Sequence, residues 1–243
     1  MEQLDTPGQL RELCADPLIL WAAQDMGSNV QVWTHGSAVA AAVTGLARRH
    51  RVAVTGTVAD IATIVRALLD RPGPRYRPVG DDDTISQLCQ LLPGLTPTPP
   101  FGWMTTTQAP SRGQGAARLA GDGERAAIAR VLDEVFPDSL ARPGLPGVTR
   151  WWVKTDNHGV AACAADAWSA PCVGLLAGVA TATRAQGRGL GRSVAATALT
   201  ALIHDYGTAT LMVETDNAPA QALYRSLGMT YRPVRAAAPP PAV

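Results

Sequence analysis

Between Val179 and Asn217 an apolar strand runs into a glycine-rich loop, and the loop opens directly into a helix. The loop reads Gln186-Gly187-Arg188-Gly189-Leu190-Gly191-Arg192-Ser193 and is entered from Val179-Ala180-Thr181. A junction of this kind aims several backbone N–H groups at one spot, with the positive end of a helix dipole behind them, and a phosphate or pyrophosphate is the natural occupant. Glycine at 187, 189 and 191 leaves no Cβ to block the approach of an anion. Arg188 and Arg192 can add cationic donors at the rim. A Walker loop requires a lysine, and Lys154 is the only lysine in the chain. A Rossmann turn requires Gly-x-Gly-x-x-Gly, whereas these glycines run Gly-x-Gly-x-Gly. Two readings remain: a pyrophosphate loop of the form Gln-x-x-Gly-x-Gly, or a tight strand-to-helix turn with no ligand.

The next segment discriminates between them. Val194, Leu199, Leu202, Ile203 and Tyr206 fall on one helical stripe, and Gly207 suits the helix stop. Thr208 to Glu214 alternates as a strand. Asn217 can then cap a helix with Pro219 in its first turn and Gly228 at its end. That helix reads Asn-x-x-Ala-x-x-Leu-Tyr-x-x-x-Gly-hydrophobic, from Asn217 to Met229. The two blocks, in this order and separated by one helix and one strand, resemble the GNAT superfamily of N-acetyltransferases. The resemblance implies an α/β (α+β) fold with a mixed, mostly antiparallel sheet flanked by helices. It covers about 116 to 235. The preceding residues form a smaller α/β lobe, a candidate degenerate GNAT-like half akin to two-lobed members such as the glycine N-acyltransferase-like subgroup.

The formal charge of +1 makes no electrostatic case for nucleic acid or an anionic membrane surface. No apolar run approaches the roughly 20 residues of a membrane span, and the N-terminus lacks the basic and apolar regions of a secretory signal. Cys14, Cys89, Cys163 and Cys172 show no Cys-x-x-Cys spacing and read as reduced thiols; with them goes an expectation of cytoplasmic location. The four histidines form no ligand pattern, so no metal is expected.

Along the chain, a short helical lead-in precedes a hairpin (Asn29 to Thr34 and Ala38 to Thr44) and a third strand at Arg51 to Thr57. Asp60 is expected to cap a helix through Leu69, with Ile61, Ile64, Val65 and Leu68 inward. A short strand at Tyr76 to Val79 and a helix from Asp83 or Thr84 follow. Pro93 to Gly115 is rich in Pro, Thr and Gly and reads as a linker in which Phe101, Trp103 and Met104 pack on something. The expected domains are therefore 1–110, a lobe of unknown role, and 111–236, the acyl-CoA-binding unit, with 237–243 a disordered Ala/Pro tail. In the second unit a strand at Ala116 to Ala120, a helix capped by Asp122 and a loop from Pro137 to Gly147 lead to strands at Val148 to Lys154, Val160 to Asp166 and Val173 to Thr181. A last strand runs from Thr230 to Arg235.

The resemblance implies transfer of an acyl group, here acetyl, from acetyl-CoA to a primary amine of a small molecule or amino acid. Gln186, Gly187, Arg188, Gly189, Leu190, Gly191, Arg192 and Ser193 would hold the pyrophosphate. Val179 and Thr181 would offer backbone groups to the pantetheine arm, and Asn217 a side-chain amide, an N-cap, or both. Tyr224 matches the family's general acid; a phenol with pKa near 10 stays protonated and can donate to a leaving thiolate. The expected partners are acetyl-CoA and the amine, without nucleic acid or membrane, and a homodimer is the candidate assembly. The family's glutamate on the strand before the loop is missing. Glu214, Asp166 and His158 read as solvated strand-end or turn residues rather than bases. That gap keeps a second reading open, a catalytically silent acyl-CoA-binding module. Trp151, Trp152 and Trp168 can line an acceptor pocket or fill the core.

Overall fold

The computed structural model describes residues 1–110 and 117–239. The chain divides into two compact units. The first comprises Met1–Trp103, Val213–Asp216 and Tyr231–Val243, and the second Met104–Met212 and Asn217–Thr230. The sequence reading assigned all of 111–236 to one domain; the division instead returns the end of the chain to the first unit, through strand pairing that local pattern does not carry.

The first unit starts with β1 (Glu2–Leu4), α1 (Pro7–Leu13) and α2 (Pro17–Ala23), then β2 (Val30–His35), β3 (Ala38–Leu46) and β4 (Arg49–Thr55). It continues with α3 (Val58–Leu69), β5 (Arg77–Asp81), α4 (Asp82–Leu91), β6 (Thr96–Pro97) and the start of β7 (Phe101–Thr106), whose residues from Met104 on belong to the second unit. β1, β2, β3 and β4 pair antiparallel in that order, and β5 lies parallel to β4. Ala40, Ala42, Val52 and Val54 on one face join Ile61, Ile64, Val65, Leu68, Ile85 and Leu88 in an apolar core. The helix-spaced residues Ile61, Ile64, Val65 and Leu68 thus face inward, as their period requires. The cap of α3 is Thr57, whose hydroxyl accepts from the Asp60 N–H, and not Asp60 itself. The proposed linker is also corrected. Its β-prone run Phe101-Gly-Trp-Met-Thr-Thr forms β7, and Trp103 and Met104 are buried.

The second unit runs β8 (Arg118–Leu119), a 3₁₀ turn at Asp122–Glu124, α5 (Arg125–Val135), β9 (Val148–Asp156), β10 (Gly159–Ala167) and β11 (Gly174–Thr181). After a 3₁₀ turn at Thr183–Ala185 come α6 (Leu190–Tyr206), β12 (Ala209–Glu214) and α7 (Ala218–Ser226). β8, β9, β10 and β11 pair antiparallel, and β12 lies parallel to β11. The fold is thus mixed α/β with mostly antiparallel strand pairs and seven α-helices among the described residues. Ile128, Val131 and Leu132 of α5 pack with Trp151, Val153 and Cys163. Ala116 of the expected first strand lies outside the described residues.

β13 (Thr230–Ala238) closes the chain and pairs antiparallel with β5 and β6 in the first unit. Ala237 and Ala238 pair with Pro97 and Thr96, so the expected tail is strand at its start; 240–243 lie outside the described residues.

Candidate functional site

The site is organised by a defect in β11. Cys163 of β10 opposes Ala180 and Ala165 opposes Ala177, so β11 carries one more residue than its partner over this interval. The extra residue is a β-bulge, and it is built on Gly178 at φ +59. The Trp151 ring fills the space where a Gly178 side chain would begin, with Cη2 2.7 Å from the Cβ position. Parallel pairing with β12 takes in only Gly174, Leu175 and Leu176, the stretch before the bulge. Past it, β11 leaves main-chain groups of Val179 and Thr181 without a β12 partner, a ready edge for an extended ligand arm. Sequence analysis missed Gly178 and read Trp151 only as a pocket or core residue, although an isolated glycine inside a strand pattern is a bulge signal.

Beyond Thr181 the chain turns through 183–185 and enters the glycine loop. Glu134 of α5 fixes this turn, its carboxylate accepting from the Thr183 N–H at 2.9 Å. That role too was missed. Gln186 Nε2 donates to the Thr181 carbonyl at 3.2 Å and ties the loop to the end of β11. Gly187 and Gly189 both sit at φ +74, and a Cβ at either would meet nothing within 4 Å. Gly189 is the N-cap of the 17-residue α6 in left-handed conformation and offers no side-chain cap. The amides of Leu190, Gly191 and Arg192 therefore begin the helix without an intrahelical acceptor. Gly191 also meets a packing requirement that the sequence did not show. A Cβ there would lie 2.8 Å from Thr181 Oγ1, so this glycine lets the helix lie close against β11.

The two loop arginines are held by protein. Arg188 lies 3.6 Å from Asp156, which also takes Arg184 at 3.2 Å. Arg192 donates to the Ser226 hydroxyl and, at 3.3 Å, to the Ser226 carbonyl at the end of α7. Ser193 begins the intrahelical bonding, its N–H reaching the Gly189 carbonyl at 3.0 Å.

The Arg192 clamp brings α7 into the site. Tyr224 lies in the same last turn as Ser226, with 7% of its surface exposed. Burial pushes its phenol above the ordinary tyrosine value. Among the described residues its hydroxyl has no hydrogen-bond partner, and it is not one of the fully enclosed unpaired polar atoms, which are the indole nitrogens of Trp33, Trp103 and Trp151 and Nε of Arg232. The hydroxyl is therefore neutral, uncommitted and within reach of solvent. Asn217 stands at the other end of α7 and caps it, Oδ1 accepting from the Ala220 N–H at 3.1 Å. The N-cap reading holds in the geometry.

The acids considered as bases fall elsewhere. Asp166 is not solvated; its side chain is buried and bonded to Arg150 Nε at 3.2 Å, to the Tyr206 hydroxyl at 3.0 Å and to Ser169. It opposes Leu176, at the end of β11 away from the loop. His158 is an exposed turn residue bonded through its N–H to Asp156, and Glu214 is exposed at the end of β12. Of the tryptophans, Trp151 and Trp152 are buried, the latter under the Arg150 guanidinium at 4.9 Å. Trp168 packs over Gly147 and donates its indole N–H to Pro146. The core role fits all three. Burial raises the Cys163 thiol to about 12, which makes it an unreactive packing group. Among the described residues no group of side chains could hold a metal, and no helix is long and apolar enough to cross a membrane.

Residues 157–236 match the FR47-like protein family. A GCN5-related N-acetyltransferase from Kribbella flavida is similar in structure, with a TM-score of 0.61, 14% identity, and coverage of 94% of this chain and 98% of that one. One from Sphaerobacter thermophilus aligns with a TM-score of 0.53 at 16% identity, over 92% and 85% of the two chains. An acetyltransferase of the GNAT family from Colwellia psychrerythraea gives 0.52 at 11% identity, over 98% of each. A search of curated protein sequences returned no match. The chain carries the GNAT fold.

Proposed function

We propose that this chain is an acyl-CoA-dependent N-acyltransferase that moves an acetyl group from acetyl-CoA to a primary amine of a small molecule or amino acid, by direct attack in a ternary complex. The observation that carries the proposal is the open, uncapped N-terminus of α6 lying just past a strand whose bulge frees its edge. The loop amides from Gly187 to Arg192 are the donors for the pyrophosphate, and the edge of Val179 and Thr181 is the guide for the pantetheine arm. The Asn217 amide is a second guide. The amine nitrogen attacks the thioester carbon; the C–N bond forms as the C–S bond breaks. Tyr224 gives its proton to the leaving sulfur, the new amide nitrogen loses its proton to water, and solvent returns a proton to the Tyr224 phenolate to close the cycle. Water serves here because β11, Gly-Leu-Leu-Ala-Gly-Val-Ala-Thr, carries no acid.

That same absence favours the second reading, an acyl-CoA-binding module without turnover. Calorimetry with coenzyme A, run beside thiol release from acetyl-CoA across a panel of amines, separates the readings. The proposal requires both binding and amine-dependent thiol release. Binding with no release on any amine selects the silent module, and no binding at all rejects both.

A further inference from the structure

We propose that the first unit holds a second anion site, independent of the glycine loop, in which Arg49, Arg51 and Arg77 bind a phosphate group. The three arginines share one face of the sheet. Arg49 and Arg51 are two residues apart on β4, and Arg77 is the register partner of Arg51 on the parallel neighbour β5. The opposite face, through Val52 and Val54, is committed to the apolar core under α3 and α4. Arg51 is only 6% exposed and lies 5.7 Å from the Trp21 ring of α2. Its one hydrogen bond among the described residues runs from Nε to the Leu46 carbonyl at 3.3 Å. No ion pair among the described residues involves any of the three, whereas Arg232 and Arg235 elsewhere in this unit each hold a carboxylate.

A buried, unpaired charge is expensive, and like-charged neighbours add to the cost. Desolvation first, then the charges of Arg49 and Arg77, bring the Arg51 guanidinium down to about 10. The Trp21 ring offsets part of this as a cation–π partner, on the order of 1–2 kcal/mol. The Arg51 Nη atoms are not among the sealed, unpaired atoms, so solvent reaches them. Exposed Arg49, half-buried Arg77 and buried Arg51 form a descending set of planar donors, suited to a dianionic oxyanion.

The test is calorimetric titration of the full chain with inorganic phosphate at constant ionic strength. Wild type takes up phosphate; Arg49→Gln/Arg77→Gln weakens uptake by about tenfold or more, the scale of one lost charge-assisted bond. Arg49→Gln alone changes only an exposed side chain and gives a smaller loss in the same direction. Gly189→Trp, which blocks the loop, leaves the arginine-dependent uptake in place, and the control Arg66→Gln leaves all uptake unchanged. Absence of uptake by wild type, equal uptake by the double variant, or loss confined to Gly189→Trp overturns the site. Acetate competing as well as phosphate overturns the phosphate assignment.

Discussion

Replacing Gly178 by alanine attacks the bulge at its weakest point. Two costs arise. At φ +59 a side chain must sit in the left-handed region, worth about 1–2 kcal/mol for a residue other than glycine. The new methyl would start 2.7 Å from Trp151 Cη2, 3.0 Å from Cζ3 and 3.5 Å from Ala141 Cβ, against a ring with little room to retreat; such overpacking costs about 1–3 kcal/mol. The sum is roughly 2–5 kcal/mol, read as a fall in the urea midpoint at unchanged slope. A partner substitution isolates the contact. Trp151→Leu removes the ring, so the overpacking vanishes in Gly178→Ala/Trp151→Leu while the backbone cost remains. The double variant should be less damaged than the two single losses combined by about 1–3 kcal/mol, the overpacking cost. Strictly additive losses, or a Gly178→Ala protein as stable as wild type, would show that the ring does not shape the bulge.

Tyr224→Phe should lower turnover about a hundredfold, the lower scale of general-acid catalysis, while the Kd for coenzyme A stays put; equal rates would remove this residue from the chemistry. Because burial raises its phenol, turnover should show no Tyr224 loss up to the ordinary tyrosine range near 10, and stability should decline only above that value; a falling limb near neutrality would contradict the assignment. Gly189→Trp should abolish coenzyme A binding in calorimetry, since the indole would occupy the open space at the α6 N-terminus. Asp166→Asn should cost about 1–3 kcal/mol in urea unfolding by weakening the bonds from Arg150 and Tyr206, while Arg150 keeps its pair with Asp205, and should leave kcat within a few-fold; a large drop in kcat with intact folding would make Asp166 the missing base. Glu124 is held at about 2 by the Arg118 guanidinium and the Gly121 N–H, so its contribution is present above about 4.5 and lost as pH falls towards 2; Glu124→Gln should flatten that acid limb in urea midpoints measured against pH.

What could be read in advance follows from the range of each interaction. The helical stripes through Ile61 to Leu68 and Val194 to Leu202 depend on period alone, and those residues are buried. The loop and the Asn217 cap are local as well. The Pro/Thr/Gly composition around Phe101 hid a strand, because neighbouring prolines say nothing about a six-residue run that contains none. Asp166 looked solvated because its partners, Arg150 and Tyr206, come from distant positions. Arg192 looked like a ligand donor because nothing local revealed Ser226. The return of β13 to the first unit is of the same kind.

Within each unit the chain makes the same run: three antiparallel strands, a helix, a strand parallel to the third, and another helix. It is β2-β3-β4-α3-β5-α4 in the first unit and β9-β10-β11-α6-β12-α7 in the second. The shared order does not give a shared site, and the helix N-termini show why. At α3, Gly56 is pressed against Ala38, with a Cβ position 2.6 Å from its Cα. The Asp60 carboxylate fills the end of that helix, accepting from the Ser37 N–H at 2.9 Å and the Thr57 hydroxyl at 2.8 Å. Those bonds, led by the Ser37 N–H, hold Asp60 below the usual carboxylate range, so the helix carries its own permanent anion. At α6 no acid occupies the first turn, no side chain caps it, and two glycines face open space. β4 pairs with β5 at Arg51, Val52 and Ala53, as many positions as β11 pairs with β12, and the register irregularity against β3 falls between Val43 and Leu46, on β3 rather than on β4. One topology thus yields one closed helix end and one open one, and the difference rests on a single acid at Asp60 against glycine at 187 and 189.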